Sequence, residues 1–115
     1  MGEHGSRIET PFSYAGAETI NESISLPDAS QLISVEVILS AASTTSEDFT
    51  VKTVSAGGVV VDEWTNDLSD SGAKSYMEQF DKRLAKGRRI DIDYPHTDAN
   101  AIQLIVTHQL DPSVN

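Results

Sequence analysis

Short segments in which apolar and polar residues alternate recur along the chain. The alternation is clearest at residues 33–39, 49–53, 90–94 and 102–108. A period of two residues is typical of a β-strand that buries one face in a core and exposes the other. Turn signals separate the segments, among them Pro27-Asp28, Gly57-Gly58 and Pro95. Most connections are too short for crossover helices, which argues against a parallel α/β architecture.

Residues 18–26 and 59–64 add two further predicted strands. Residues 75–80 are ambiguous, because Met77, Phe80 and Leu84 have helical spacing although a strand over the same residues fits as well. The length of 115 residues suffices for one domain. We therefore predict an all-β fold, a single-domain β-sandwich or jelly roll of about seven or eight short strands.

The first 17 residues differ in composition from the rest of the chain. They are rich in Gly, Ser and Ala and contain the aromatic residues Phe12 and Tyr14. Such a segment is expected to be a flexible arm that becomes ordered against a neighbour. We predict an N-terminal arm at residues 1–17 and a sandwich domain at residues 18–115.

The charge of the chain excludes several classes of partner. The formal net charge is −10, and there is no cysteine. An acidic domain repels phosphate backbones and anionic lipids, so we expect neither nucleic-acid nor membrane binding. Without cysteine there is no disulfide and no thiolate nucleophile or metal ligand. No apolar stretch has the length of a signal peptide core or of a membrane span.

The residue types that usually carry catalysis are not grouped in the sequence. His4 lies in the predicted arm, His96 in a loop and His108 on the predicted core face of the last strand. No serine lies in a GxSxG motif, and Gly57-Gly58 separates two strands rather than opening a helix. We expect a protein that is not an enzyme, with no catalytic residue and no cofactor.

One group of carboxylates leaves a metal site open. Asp91 and Asp93 lie on one face of a predicted strand, and Asp98 follows a short loop later. Together with Glu47 and Asp48 these side chains could form an oxygen cage for calcium. The alternative is a solvated strand face whose acids are opposed by the basic residues Arg88, Arg89 or Lys52.

Three aromatic residues leave a sugar-binding role open. Trp64, Tyr76 and Tyr94 could form a stacking platform for a carbohydrate. Aromatic side chains of this kind more commonly belong to a core or an interface.

Two stretches of the sequence contain a specific pattern of strands and turns. LSAASTTSEDFTVKTVSAGG, residues 39–58, has a strand ending in a small-residue turn, followed by a second strand and a glycine turn. It resembles the turn of the type LSAAPTTSENFTV in small β-sandwich virion proteins of tailed phages. The pattern resumes at residues 84–107 in LAKGRRIDIDYPHTDANAIQLIVT. The chain has Ser43 where the pattern has proline, Arg88 where it has an acid and His96 where it has asparagine.

The resemblance implies a structural role on a virus particle. It favours a strand at residues 75–80 and implies a capsid decoration, or cement, protein that binds the outer face of the major capsid shell. The expected partners are the major capsid protein and further copies of the chain, most simply as a trimer. The expected location is the capsid surface of a virion, after synthesis in the host cytoplasm. Phe12 and Tyr14 of the arm would then anchor the protein to its partner.

A second hypothesis stays open beside the decoration protein. The same fold also suits a component of the head–tail neck, the tail or a fibre, acting as a module that recognises carbohydrate or a host surface. Neither hypothesis requires a catalytic residue.

Overall fold

The computed structural model describes residues 7–69 and 74–110, which form eight antiparallel strands in two four-stranded sheets. The first sheet has the strand order β1-β8-β3-β6 and the second has the order β2-β7-β4-β5. The strands are β1 Arg7–Tyr14, β2 Ile20–Ser25, β3 Ser30–Leu39, β4 Asp48–Val54, β5 Val60–Asp67, β6 Ser75–Leu84, β7 Arg89–Tyr94 and β8 Ile102–Leu110. The predicted all-β sandwich is therefore confirmed.

Helices are absent from the described part of the chain. It consequently contains no helix that is long and apolar enough to cross a membrane.

The core lies between the two sheets and is built from alternate residues of the central strands. In β7, Ile90 and Ile92 are 0% exposed, while Asp91 and Asp93 between and after them are partly exposed. Because side chains alternate across a strand, one face of β7 packs in the core and the other carries the charges. The alternation read from the sequence is confirmed for this strand.

The predicted core face of β3 is wrong at one residue. Leu32, Val35, Val37 and Leu39 are buried, whereas Ile33 is only half-buried. The pairing of β3 with both neighbouring strands shifts register between Leu32 and Ser34. Ile33 is the additional residue of this β-bulge, which moves the inward set by one position.

Residues 75–80, for which the sequence pattern fits a helix or a strand, belong to an edge strand. β6 runs from Ser75 to Leu84 and pairs antiparallel with β3, which confirms the strand favoured by the resemblance. Tyr76 and Phe80 both pack against the core, although a bulge lies opposite Leu32 and Ser34. Met77 is 53% exposed on the outward face, whereas Phe80 and Leu84 lie on the inward face, so the helical spacing of these three residues does not mark one face of the element.

The expectation of a free arm does not hold for Arg7–Tyr14. These residues form β1, which pairs antiparallel with β8 from Arg7 opposite Gln109 to Tyr14 opposite Ile102. β1 therefore belongs to the sandwich, because its half-buried aromatic residues cover the core and its backbone completes the pairing of β8. Residues 1–6, with His4, lie outside the described residues.

The order of the strands leaves two open sides of the sandwich. β1 and β2 are the edge strands on one side, where the Tyr14 hydroxyl donates a hydrogen bond to the Glu22 carboxylate across the two sheets. β5 and β6 are the edge strands on the other. We call the latter the β5–β6 side.

Candidate functional site

The hydroxyl-rich loop between β3 and β4 is bound to the loop between β7 and β8 by Asp98. The Asp98 carboxylate accepts hydrogen bonds from the Ser43 hydroxyl at 2.9 Å, from the Thr44 backbone N–H at 2.9 Å and from the Thr45 hydroxyl. The three donors are consecutive residues of the stretch that carries the resemblance. Serine and threonine are therefore used here as donors to one carboxylate.

Glu47 makes the reciprocal connection in the opposite direction. Its carboxylate accepts the Thr97 backbone N–H at 3.0 Å and the Thr97 hydroxyl at 2.7 Å. At the base of the loops the Ser40 hydroxyl accepts the Ala101 N–H at 2.9 Å, and the Ser40 N–H donates to the Ala101 carbonyl at 2.9 Å. We call this set the loop network; it consists of Ser40, Ser43, Thr44, Thr45, Glu47, Thr97, Asp98 and Ala101.

Hydrogen bonding in the loop network stabilises the charged form of its central acid. The Thr45 hydroxyl and the Thr44 N–H lower the pKa of Asp98 to about 2. Because both oxygens of the Asp98 carboxylate already accept hydrogen bonds within the protein, the network is suited to holding two loops together. The serines, threonines and acids of residues 40–47 therefore link two loops of the fold through hydrogen bonds.

His96 lies beside the loop network in a backbone conformation that few residues adopt. Its φ is +48°, its side chain is 1% exposed and its ring stacks on Tyr94 with centroids 5.4 Å apart. The ring Nε2 lies 2.7 Å from the Asn100 carbonyl oxygen. Asparagine and histidine are both enriched in the left-handed region, which explains how histidine can replace the asparagine of the related pattern.

His108 lies on the core face of β8, as its phase in the sequence predicts. The residue is 7% exposed, and its Nδ1 has no hydrogen-bond partner among residues 7–69 and 74–110. Burial lowers the pKa of His108 below its ordinary value, because the charged imidazolium would lose its hydration.

The His108 environment predicts acid sensitivity. Because the pKa of His108 is lower in the folded protein, the unfolded chain binds more protons than the folded protein near and below pH 6.5, so the free energy of unfolding falls as the pH decreases, by at most about 1.4 kcal/mol per pH unit. His108→Gln removes this contribution. Urea unfolding at pH 7 and pH 5 should show a smaller difference for the variant than for the unaltered protein; an equal difference would contradict the assignment.

The two acids of β7 are each paired with a basic side chain. Arg89 Nε is 2.9 Å from Asp91, which also accepts the Ser23 hydroxyl at 2.7 Å. Lys52 Nζ is 3.4 Å from Asp93 across the sheet. Within the part of the chain that the structure describes, no group of three acidic or histidine side chains is placed to hold a metal ion. The solvated face opposed by basic residues is the alternative that the structure supports.

An open apolar cleft lies on the β5–β6 side. It has a volume of about 150 Å³ and lies between the edge strands, with residues of β3 and β4 below. Trp64 of β5 and Phe80 of β6 meet edge to face at 4.5 Å between ring centroids. The lining includes Val35, Val37, Phe49, Val51, Trp64, Leu68, Tyr76 and Phe80. We call this the β5–β6 cleft.

Polar contacts between the two sheets hold the edge strands on either side of the aromatic pair. Lys82 Nζ of β6 lies 2.9 Å from the Asp62 carboxylate of β5. The Tyr76 hydroxyl donates to the Leu68 carbonyl at 2.9 Å. These contacts fix the separation of β5 and β6, so the β5–β6 cleft is formed without a ligand.

The three aromatic residues considered as a sugar platform do not lie together. Tyr94 is 1% exposed and packs edge to face on Phe49 in the core. Trp64 and Tyr76 both line the β5–β6 cleft. The structure therefore divides the predicted group into one core residue and two cleft residues.

Phe12 and Tyr14, the predicted partner anchors, both pack against the core of their own domain. Each is half-buried on the inward face of β1. Sequence reasoning missed Phe80 and the exposed apolar residues of the β5–β6 side. One signal was available: Val59, Val60 and Val61 are consecutive apolar residues that break the period of two, and they are 66%, 47% and 45% exposed.

The comparisons with known proteins give similarity in structure alone. No protein-family model and no curated protein sequence matches this chain. The chain is similar to part of dimeric latent PorU from Porphyromonas gingivalis, with a TM-score of 0.48, 11% identity and coverage of 93% of this chain and 13% of that one. It is also similar to VP2 of the infectious bursal disease virus subviral particle, with a TM-score of 0.44, 14% identity and coverage of 89% and 32%.

A carbohydrate-binding module is a third similar structure. CBM36, in complex with calcium and xylotriose, has a TM-score of 0.38 and 21% identity, and the match covers 95% of this chain and 89% of the module. The chain thus spans much less than two thirds of PorU and of VP2 but most of CBM36. Viral capsid proteins and a carbohydrate-binding module are both among the structures to which this chain is similar.

Proposed function

We propose that this chain is a structural virion protein of a tailed bacteriophage, a decoration protein that binds the outer face of the major capsid shell and stabilises it. The proposed role involves no catalysis and no cofactor. The single observation that supports it most is the loop network. The residues that carry the resemblance are engaged with one another across two loops, which is a structural use of serine, threonine and acid.

A decoration protein needs a rigid body and a surface that contacts its partner. The loop network and the cross-sheet contacts of Tyr14, Asp62 and Tyr76 supply rigidity. The outer face of β7 and β4 is covered with paired charges, whereas the β5–β6 side exposes apolar residues. We therefore place the shell contact on the β5–β6 side, with homotrimers around the symmetry axes of the shell as the proposed arrangement.

The contribution of Phe12 and Tyr14 to binding stays a prediction. Both rings contact the core, so a partner can reach only the part of each side chain that is exposed. Deleting β1 would also remove the partner strand of β8, so single substitutions test the anchors better than a truncation.

The proposed function is tested with capsid shells that lack this chain. Added protein should bind them saturably and raise the temperature at which they come apart in a calorimeter. Shells whose melting temperature is unchanged at saturating protein would contradict the stabilising role.

The neck, tail or fibre module remains the second candidate because Trp64 and Tyr76 line an open cleft. Loss of binding to a glycan on Trp64→Ala would favour it over the decoration protein.

A further inference from the structure

We propose that the β5–β6 cleft is an anchor site for one apolar side chain, aromatic or branched aliphatic, carried by an extended basic segment of a protein partner. The inference rests on the proposed function where it takes that partner to be a shell protein. The chemistry of the cleft itself is independent of the identity of the partner.

The dimensions of the cleft define the group that it accepts. An apolar cavity of about 150 Å³ is large enough for benzene. Val37, Val51 and Leu68 form part of the lining, and Trp64 and Phe80 offer aromatic surface. A phenyl ring or a branched aliphatic group has the matching size and polarity, whereas a charged group would lose its hydration there.

The strands beside the cleft favour an extended segment. Among residues 7–69 and 74–110, β5 pairs only with β4 and β6 pairs only with β3, so within this part of the chain each has an unpaired backbone edge that a partner can approach. An extended peptide can add to such an edge through main-chain hydrogen bonds and place alternate side chains in a pocket. Met77 of β6 also lines the cleft and is 53% exposed, which widens the apolar contact.

The charge around the cleft selects a basic segment. β5 and β6 together carry five acidic and two basic side chains. Asp62 is paired with Lys82, while Glu78 is exposed and lines the cleft. A second copy of this chain has a net charge of −10 and the same acidic strands, so charge repulsion opposes self-association at this side. Lysine or arginine flanking the anchor complements the rim.

A peptide titration measures this recognition directly, because Trp64 is the sole tryptophan of the sequence and lies in the cleft. The probe is Ac-Lys-Val-Phe-Val-Lys-NH2. One control peptide has alanine in place of phenylalanine, and a second has glutamate in place of both lysines. We expect the probe to change the Trp64 fluorescence saturably, with an affinity about ten-fold or more above that of either control peptide. Equal responses to the three peptides, or no saturable response to the probe, would overturn the proposal.

A matched pair of charge reversals tests the acidic rim. Glu78→Lys should weaken binding of the basic probe about ten-fold and strengthen binding of the glutamate peptide. Glu9→Lys makes the same change at an exposed position of β1, on the opposite side of the sandwich, and should leave both affinities unchanged. Unaltered probe affinity in Glu78→Lys would overturn the role assigned to the rim.

Shell binding by the same variants separates this proposal from the proposed function. If the unaltered protein binds shells and Glu78→Lys binds them equally well, the docking proposal fails and the decoration function stands. If the unaltered protein does not bind shells but the probe peptide occupies the cleft, the decoration function fails and the anchor site stands.

Discussion

Ile92→Asp will unfold the domain or lower its free energy of unfolding by about 4 kcal/mol or more. Ile92 is 0% exposed in the centre of β7, between Glu22 of β2 and Val51 of β4 in the pairing of the second sheet. Its side chain faces the apolar core, where no cation is available to pair with a carboxylate. Urea unfolding followed by circular dichroism measures the loss.

Val59→Asp is the matched control for this substitution. It also converts an aliphatic residue to aspartate, but Val59 is 66% exposed, so we expect a change within about 0.5 kcal/mol. An Ile92→Asp protein as stable as the control would mean that the inward face of β7 has been assigned to the wrong residues.

Asp98→Ala will lower the free energy of unfolding by about 2–3 kcal/mol at pH 7. The substitution leaves the Ser43 and Thr45 hydroxyls and the Thr44 N–H without their shared acceptor. Because Asp98 joins two loops that are more than 50 residues apart in the sequence, the loss affects both of these loops. Chemical denaturation at pH 7 measures the effect.

The pH dependence of the free energy of unfolding tests whether the charged Asp98 carboxylate causes this stabilisation. The pKa of Asp98 is lowered to about 2 in the folded protein, so its contribution is complete above the ordinary pKa near 4 and is lost as the pH falls from about 4 to 2. Asp98→Asn should reduce the change in the free energy of unfolding between about pH 4 and pH 2. Asp48→Ala, at an exposed position at the start of β4, is the control and should leave the profile intact. A profile for Asp98→Asn that matches the unaltered protein would contradict this account.

Much of the fold follows from local patterns in the sequence. The alternation at β7 and the turn at Gly57-Gly58 are visible in the residues themselves, because each strand must bury one face. The bulge at Ile33 is not visible, since it depends on how β3 pairs with β6 and β8 together. The small residues of the first segment suggest an arm, and its pairing with β8 arises from tertiary contacts that no local pattern specifies.

The sites depend on contacts between distant residues, which explains why sequence reasoning found them only in part. The stretch of serines and threonines is visible in the sequence, but its acceptor Asp98 lies 53 residues beyond Thr45. The β5–β6 cleft requires the edge strands of two different sheets to lie side by side. The sequence suggests Trp64 as one member of a possible sugar platform, whereas its contact with Phe80 can be recognised only from the folded arrangement.

The number of copies of this chain per virion tests the decoration function most directly. The particle that contains it would be purified, and the chain would be quantified by mass spectrometry against the major capsid protein. The proposed function predicts a ratio of about one, or of about one third for trimers on a subset of symmetry axes. A ratio of about one in a hundred would contradict shell-wide decoration and place the chain at the neck or tail, and absence from the particle would contradict both hypotheses.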